Sequence, residues 1–275
     1  MEAIGFPIYS NSKPSVESFR SIFELLWNER ILNEELKKTD VMQKEFIDMA
    51  AHELRTPIQP ILSLSAILQS KEEGDIKQYR ELLDVINRSA KKLQRLTEGV
   101  LDVSRIESQT LKLNKNQFNL KELILHTLSD SKAELKSIGK DNKINLELVS
   151  KENEDTFIVH ADQGRIAQVV SNLLSNAVKF TEEGSIIVKT KREKDDDTNS
   201  HELIVVSTRD TGKGIDPAVK DKPFEKFETK SEKGIGLGLY ISRKVIEAHG
   251  GKIWAENNKN GKGATFAFSI PTLND

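Results

Sequence analysis

The chain has 275 residues, enough for one large domain or two small ones with a real buried core. Its 41 basic and 43 acidic residues leave a net charge of −2, which gives no global basis for nucleic-acid binding or adhesion to an acidic membrane. There is no cysteine, so disulfides and thiolate metal sites are excluded and a reducing compartment suits the chain.

The longest uncharged stretch, Thr56 to Ser70, is too short for a bilayer and contains Pro57 and Pro60. No basic segment followed by an apolar one opens the chain, so no signal peptide is read. The expectation is a cytoplasmic chain, soluble or the cytoplasmic part of something longer, with no membrane segment and no nucleic-acid partner.

In chain order, residues 1–14, with Pro7, Asn11 and Pro14, read as the tail of a preceding module. Residues 15–40 read as a coiled-coil-like helical lead-in carrying Leu25, Leu32 and Leu36, its seam interrupted by Glu29. Within 41–107, Ile47, Ala51, Leu54, Ile58, Ile61, Ser65 and Leu68 form one helical stripe. Leu82, Ile86, Ser89, Leu93, Leu96, Val100 and Val103 form a second. Lys71–Asp75, charged and containing Gly74, breaks them at turn length, so a helical hairpin is predicted. Two helices make a thin core. A second copy of the hairpin, completing a four-helix bundle, would cover both stripes.

Residues 108–116 read as a hinge linker, and the texture changes from 117 to 275. Helices are predicted over Leu120–Ile138, Asp162–Phe180 and Leu237–His249. Strands are predicted over Ile144–Val149, Phe157–His160, Ser185–Lys191, Leu203–Thr208, Lys252–Glu256 and Ala264–Ile270. The fold class expected is thus multidomain: an all-α hairpin forming a dimeric four-helix bundle, then an α/β sandwich with a mixed sheet layered by helices.

Three constellations carry chemistry. His52 falls just off the first stripe, so its imidazole should face solvent. A neutral imidazole has a nucleophilic lone pair on one nitrogen and a proton on the other. Glu53 could accept that second proton, and Thr56 lies one turn on along the same face. Pro57 should kink or loosen the helix there. A surface histidine alone is better read as a solvated side chain.

The second constellation is Asn172, Asn176 and Lys179, which share one edge of a helix. Amide oxygens suit magnesium and the lysine suits phosphate, although paired asparagines also serve between helices. The third is glycine-rich. Asp210-Thr211-Gly212-Lys213-Gly214-Ile215 follows a strand, where a fixed carboxylate could accept the exocyclic amine of adenine, or where the segment could simply turn. Gly234-Ile235-Gly236-Leu237-Gly238-Leu239 opens a helix, and backbone amides at a helix N-terminus bind anions. Its spacing fits neither the dinucleotide-binding fingerprint nor a P-loop. Phe224-Glu225-Lys226-Phe227 precedes it and could close a lid, or could be core.

Taken together, H-E-L-R-T-P at 52–57 and the later boxes, in this order, resemble the histidine kinases over roughly residues 40–270. The first part resembles their dimerisation and histidine-phosphotransfer domain. The second resembles their ATP-binding domain, of the fold shared with gyrase, Hsp90 and MutL. The resemblance implies His52 as phospho-acceptor, Glu53 as its acid/base partner and Thr56 as the residue positioning a water for dephosphorylation. It implies ATP and Mg2+ as ligands, with Asn176 as chief magnesium ligand, Asn172 supporting, Lys179 on phosphate and Asp210 on adenine. Phe180 and Ile215 would wall the base, with Gly212, Gly214, Phe227, Gly234, Ile235, Gly236, Leu237, Gly238, Leu239 and Thr265 completing the site.

The lid departs from the family pattern in lacking an arginine after the phenylalanine box, so Lys230 or Lys233 would take that role. Lys222-Pro223 also replaces the usual aliphatic run. The partners implied are a second copy of the chain, joined through the hairpin, and a response-regulator receiver domain. A conformational ATPase or a non-catalytic ATP-binding scaffold of the same fold are the alternatives.

Overall fold

The computed structural model describes residues 47–70, 76–150, 157–194, 202–217, 219–220, 222–226, 236–259 and 261–272, together with Glu24, Arg30 and Lys44. The chain divides into two units, Met1–His52 and Glu53–Asp275, and the packing described below belongs to the second. The lead-in segment falls almost wholly outside the described residues.

Helix α1 is described over 47–70 and runs without interruption through Pro57 and Pro60, so the loosening expected at Pro57 does not break it. A proline takes one main-chain donor away. Ser63 turns its hydroxyl back onto the carbonyls of Gln59 and Pro60, at 3.0 and 3.5 Å. Helix α2, Ile76–Glu107, returns alongside, and Lys92 reaches Glu53 of α1 at 3.4 Å. Its predicted stripe is the less exposed face: Leu82, Ile86, Leu93, Leu96 and Val100 are half-buried and Val103 is buried. The α1 stripe is less covered, with Ile47 57% and Ile58 38% exposed.

Helix α2 ends where Gln109 takes a left-handed conformation, φ 54°, and Thr110 donates its N–H back to Arg105 O at 2.9 Å. After an irregular stretch comes strand β1, Asn116–Asn119, so the last residue assigned to the hinge already belongs to a strand. Asn119 then caps α3, Leu120–Ser137, its Oδ1 accepting from the N–H groups of Lys121 and Glu122.

The remaining strands are β2 (Ile144–Ser150), β3 (Ile158–Ala161), β4 (Gly184–Lys194), β5 (Glu202–Asp210), β6 (Ile253–Asn257) and β7 (Ala264–Pro271). Five form a mixed sheet in the order β2-β4-β5-β7-β6, and β1 pairs with β3 in a separate two-stranded one. Only β2 and β4 in the five-stranded sheet run parallel. Helices α4 (Gln163–Phe180) and α5 (Gly238–Ala248) complete the layer.

The core follows from the two periods. Ile186 and Val188 of β4, and Ile204 and Val206 of β5, alternate inward. Against them lie Ile124 and Leu128 of α3, Ile166, Val169, Val170, Leu173 and Leu174 of α4, and Val245 and Ile246 of α5. Each such side chain contributes about 1.5–3 kcal/mol on burial.

Candidate functional site

Inward alternation along β5 delivers its last residue, Asp210, into the domain at 3% exposure. Its Oδ1 accepts the N–H of Gly212 at 2.8 Å and of Ala264 at 3.3 Å. Burial pushes the carboxyl above its ordinary range, and those N–H bonds only partly offset this. The turn that leads into β7 packs tightly against it. Gly263 sits at φ 75°, where a Cβ would lie 2.0 Å from Asp210 O, so a side chain there is excluded.

Helix α4 starts at its N-cap Asp162, whose Oδ1 accepts the Arg165 N–H at 3.0 Å. The same carboxylate takes the N–H of Asn114 in the linker at 2.9 Å. Asp162 in turn donates its N–H to His249 Nε2 at 2.9 Å, while His249 Nδ1 meets Val245 O at 2.7 Å. That pattern holds His249 as the neutral tautomer with its proton on Nδ1. Further along α4, the Asn172 amide donates to Gly238 O (3.1 Å) and Ser242 Oγ (3.3 Å), tying α4 to the first turn of α5. Lys179 places its ammonium over the Phe180 ring, 5.1 Å from the centroid.

Between these elements lies a cavity of about 840 Å³, inside the range of small-molecule sites. Its walls bring together Asn172, Asn176, Lys179, Phe180, Asp210, Gly214, Ile215, Gly236, Leu237, Gly238 and Leu239. Helix α5 begins at this cavity without a side-chain cap at Leu237, and an uncapped helix N-terminus suits an anion. Gly212 lines an adjoining hollow instead, with Phe180, Lys140 and Lys143. Thr265 is not among the cavity-lining residues, and donates its hydroxyl to Asn258 at 2.7 Å. Phe224 is buried edge-on against Phe266, centroids 6.3 Å apart, which is the core role open to it. Phe227, Lys230, Lys233, Gly234 and Ile235 lie outside the described residues.

Over residues 42–109 the chain matches the His Kinase A (phospho-acceptor) domain model, and over 161–274 the histidine kinase-, DNA gyrase B- and HSP90-like ATPase model. The chain belongs to the sensor histidine kinases. The kinase is 34% identical over 236 residues to the sensor protein GacS of Pseudomonas syringae pv. syringae, covering 83% of this chain and 25% of that protein. To the circadian input-output histidine kinase CikA of Synechococcus elongatus it is 34% identical over 82% of this chain and 30% of that one. It therefore spans between a quarter and a third of the length of these curated relatives. The solved structure of the Acinetobacter baumannii histidine kinase AdeS superposes with a TM-score of 0.57 at 25% identity, over 81% of this chain and 98% of that one.

In the kinase, His52 and Thr56 are exposed on α1, as their place off the stripe predicts. Glu53 is not solvated: it is 6% exposed and ion-paired to Lys92. The motif boxes gave no sign of the part played by α2. Arg95, Leu96 and Gly99 line the cavity beside Gln168 and Asn172. One turn further, buried Asp102 accepts from Arg165 at 2.6 Å and Gln168 at 2.8 Å, both on α4. The one sequence signal for this face was a glycine and an aspartate, Gly99 and Asp102, interleaved with the apolar stripe.

Proposed function

We propose that the kinase transfers the γ-phosphoryl group of ATP to a ring nitrogen of His52, then passes it to an aspartate of a response-regulator receiver domain. It does so in the cytoplasm as a homodimer joined through the α1–α2 hairpin. The observation carrying this reading is the convergence of Asn176, Lys179, Asp210 and the α5 N-terminus on one cavity, in a chain that also matches the phospho-acceptor family.

The residues fit such a ligand end to end. Asp210 has a second carboxylate oxygen beyond the one committed to Gly212 and Ala264, and that oxygen suits the exocyclic amine of adenine. Ile215 and Phe180 offer apolar surface to the ring, and the α5 amides with Lys179 offer donors to phosphates. Among the described residues no group of three His, Cys, Asp or Glu side chains could hold a metal alone. A magnesium ion would therefore take Asn176 oxygen, with Asn172 supporting, and complete its shell from phosphate and water. When bound, it supplies charge neutralisation on the phosphates.

For the transfer, the lone pair of one His52 ring nitrogen attacks γ-phosphorus, and the bond to the bridging oxygen breaks with its electron pair leaving on ADP. Glu53 takes the proton from the other ring nitrogen, and Lys92 offers Glu53 a counter-charge. Thr56 orients a water for the reverse loss of phosphate from the regulator.

The test is incubation with γ-labelled ATP and magnesium. Acid-labile, alkali-stable label is expected on the wild type and none on His52→Gln. Label of full strength on His52→Gln would refute the acceptor assignment. Phosphate release without protein label would favour a conformational ATPase, and neither signal a binding scaffold.

A further inference from the structure

The segment after β5 that faces the cavity, residues 211–215, forms neither helix nor strand. Its polar main-chain groups must find partners elsewhere. At Ile215 both are taken by one side chain. Asn257, the last residue of β6, accepts the Ile215 N–H on Oδ1 at 2.7 Å and donates Nδ2–H to Ile215 O at 3.1 Å. The amide thus pairs with Ile215 much as a neighbouring strand would. It also runs close beneath Gly214, where a Cβ would lie 2.8 Å from Asn257 Oδ1, and Gly214 takes φ 76° to pass it.

The next residue, Asn258, holds the other end of the segment. It is buried, donates to Asp210 O at 2.7 Å and to Lys262 O at 2.7 Å, and accepts from Thr265 Oγ1 at 2.7 Å. Consecutive asparagines therefore fix Asp210 from one side and Ile215 from the other. Ile215 lines the cavity and Asn257 does not.

We infer that Asn257 is a positioning and specificity residue for purine recognition, setting the Ile215 shelf at a fixed height over the Asp210 carboxylate. The inference rests on the adenine reading of Asp210 given above. A carboxylate favours a base presenting an amine and disfavours one presenting a carbonyl at the same place, as guanine does. That discrimination needs the base held in one plane. With Ile215 released, the base shifts and the carboxylate no longer reads a unique edge.

Asn257 is exposed, so its replacement leaves the core intact. In the full chain, Asn257→Ala is expected to raise the dissociation constants of ATP and ADP about tenfold and by the same factor, since two hydrogen bonds are lost and no phosphate contact. GTP binding should change less, so the ATP-to-GTP preference shrinks. In autophosphorylation the loss should fall on KM for ATP, with kcat retained at saturation. Asn257→Asp, which keeps the acceptor for the Ile215 N–H but sets its second carboxylate oxygen against Ile215 O, should recover only part of the affinity. A merely structural role would instead lower the melting temperature and leave the ATP-to-GTP ratio untouched, and that result overturns the inference. So does unchanged affinity and selectivity in Asn257→Ala beside a wild type that binds ATP. A wild type that binds no adenine nucleotide overturns the adenine reading as well.

Discussion

Replacing Asp210 by asparagine separates what the carboxylate does for nucleotide from what it does for the fold. Its 3% exposure leaves little water around the charge, and the N–H groups of Gly212 and Ala264 both donate to Oδ1. Asparagine has the same volume and can present its carbonyl oxygen to both donors. Its amide nitrogen then replaces Oδ2 and meets the base amine donor to donor. A hydrogen bond to a charged acceptor contributes about 1.5–3 kcal/mol, so ATP affinity should fall roughly 10- to 150-fold.

Stability should move the other way. Burial holds the Asp210 carboxyl above the ordinary carboxylate range, so the folded chain binds this proton more readily than the unfolded chain does. Its contribution is fully present below the unfolded value, about 3.9, and is lost as pH rises through the folded value. Above the folded value the wild type carries the cost of an ionised, desolvated carboxylate, and Asp210→Asn carries none. Calorimetric titration with ATP and thermal unfolding of the nucleotide-free proteins across pH read both effects. The variant should melt at or above wild type at neutral pH, with the gap closing on acidification. A variant that melts lower at neutral pH, and binds ATP within about twofold of wild type (~0.4 kcal/mol), would refute both steps.

The Asp102–Arg165 pair, 5% and 20% exposed, should give a coupling of about 1.5–3 kcal/mol in a double-mutant cycle of Asp102→Ala and Arg165→Ala by chemical denaturation. Added salt should leave that value nearly unchanged because the pair is screened from solvent, and a coupling under ~0.5 kcal/mol would contradict the geometry. At His249, burial holds the imidazole below its ordinary value, with Lys115 adding to the effect and the Val245 carbonyl and Asp162 opposing it. Between that lowered value and about 6.5 the unfolded chain binds a proton that the folded one refuses, so stability should be full above this window and fall as pH drops through it. His249→Asn should lower the melting temperature throughout yet flatten this acid-side slope; parallel pH curves for the two proteins would exclude the role.

The elements with a clear period were legible in advance. The α4 boundaries and its Asp162 cap match because an acceptor side chain stands just before a run of apolar residues at helical spacing. Asn172, Asn176 and Lys179 reach one cavity together because they share one edge of the helix whatever it packs against. Strand β1, Asn-Gln-Phe-Asn, carries one apolar side chain and becomes a strand only because β3 lies antiparallel to it. Asn257 and Asn258 look like turn residues in the sequence, since side chain-to-main chain bonds across more than 40 positions leave no periodic trace. Asp102 carries no mark of burial in the sequence. Its partner Arg165 lies 63 residues on, and no local pattern links them. The burial of Glu53 is non-local in the same way, since Lys92 covers it from the returning helix.

Helix α4 is where these long-range contacts collect. Arg165, Gln168, Asn172, Asn176 and Lys179 follow at steps of three and four, so they form a single row along one edge. The first two bind Asp102 of α2, the third binds the first turn of α5, and the last four line the cavity. The row is about 21 Å long at 1.5 Å per residue, and its backbone is hydrogen-bonded throughout. Its start is pinned to the linker through Asp162 and Asn114, and its end is closed by Lys140, whose ammonium donates to Val178 O and Thr181 O. A rigid helix held at both ends cannot let its arginine end move while its lysine end stays still. The contacts of α2 and the geometry of the phosphate-binding edge are therefore one mechanical problem, and substitutions at Asp102 belong in the same experimental series as substitutions in the cavity.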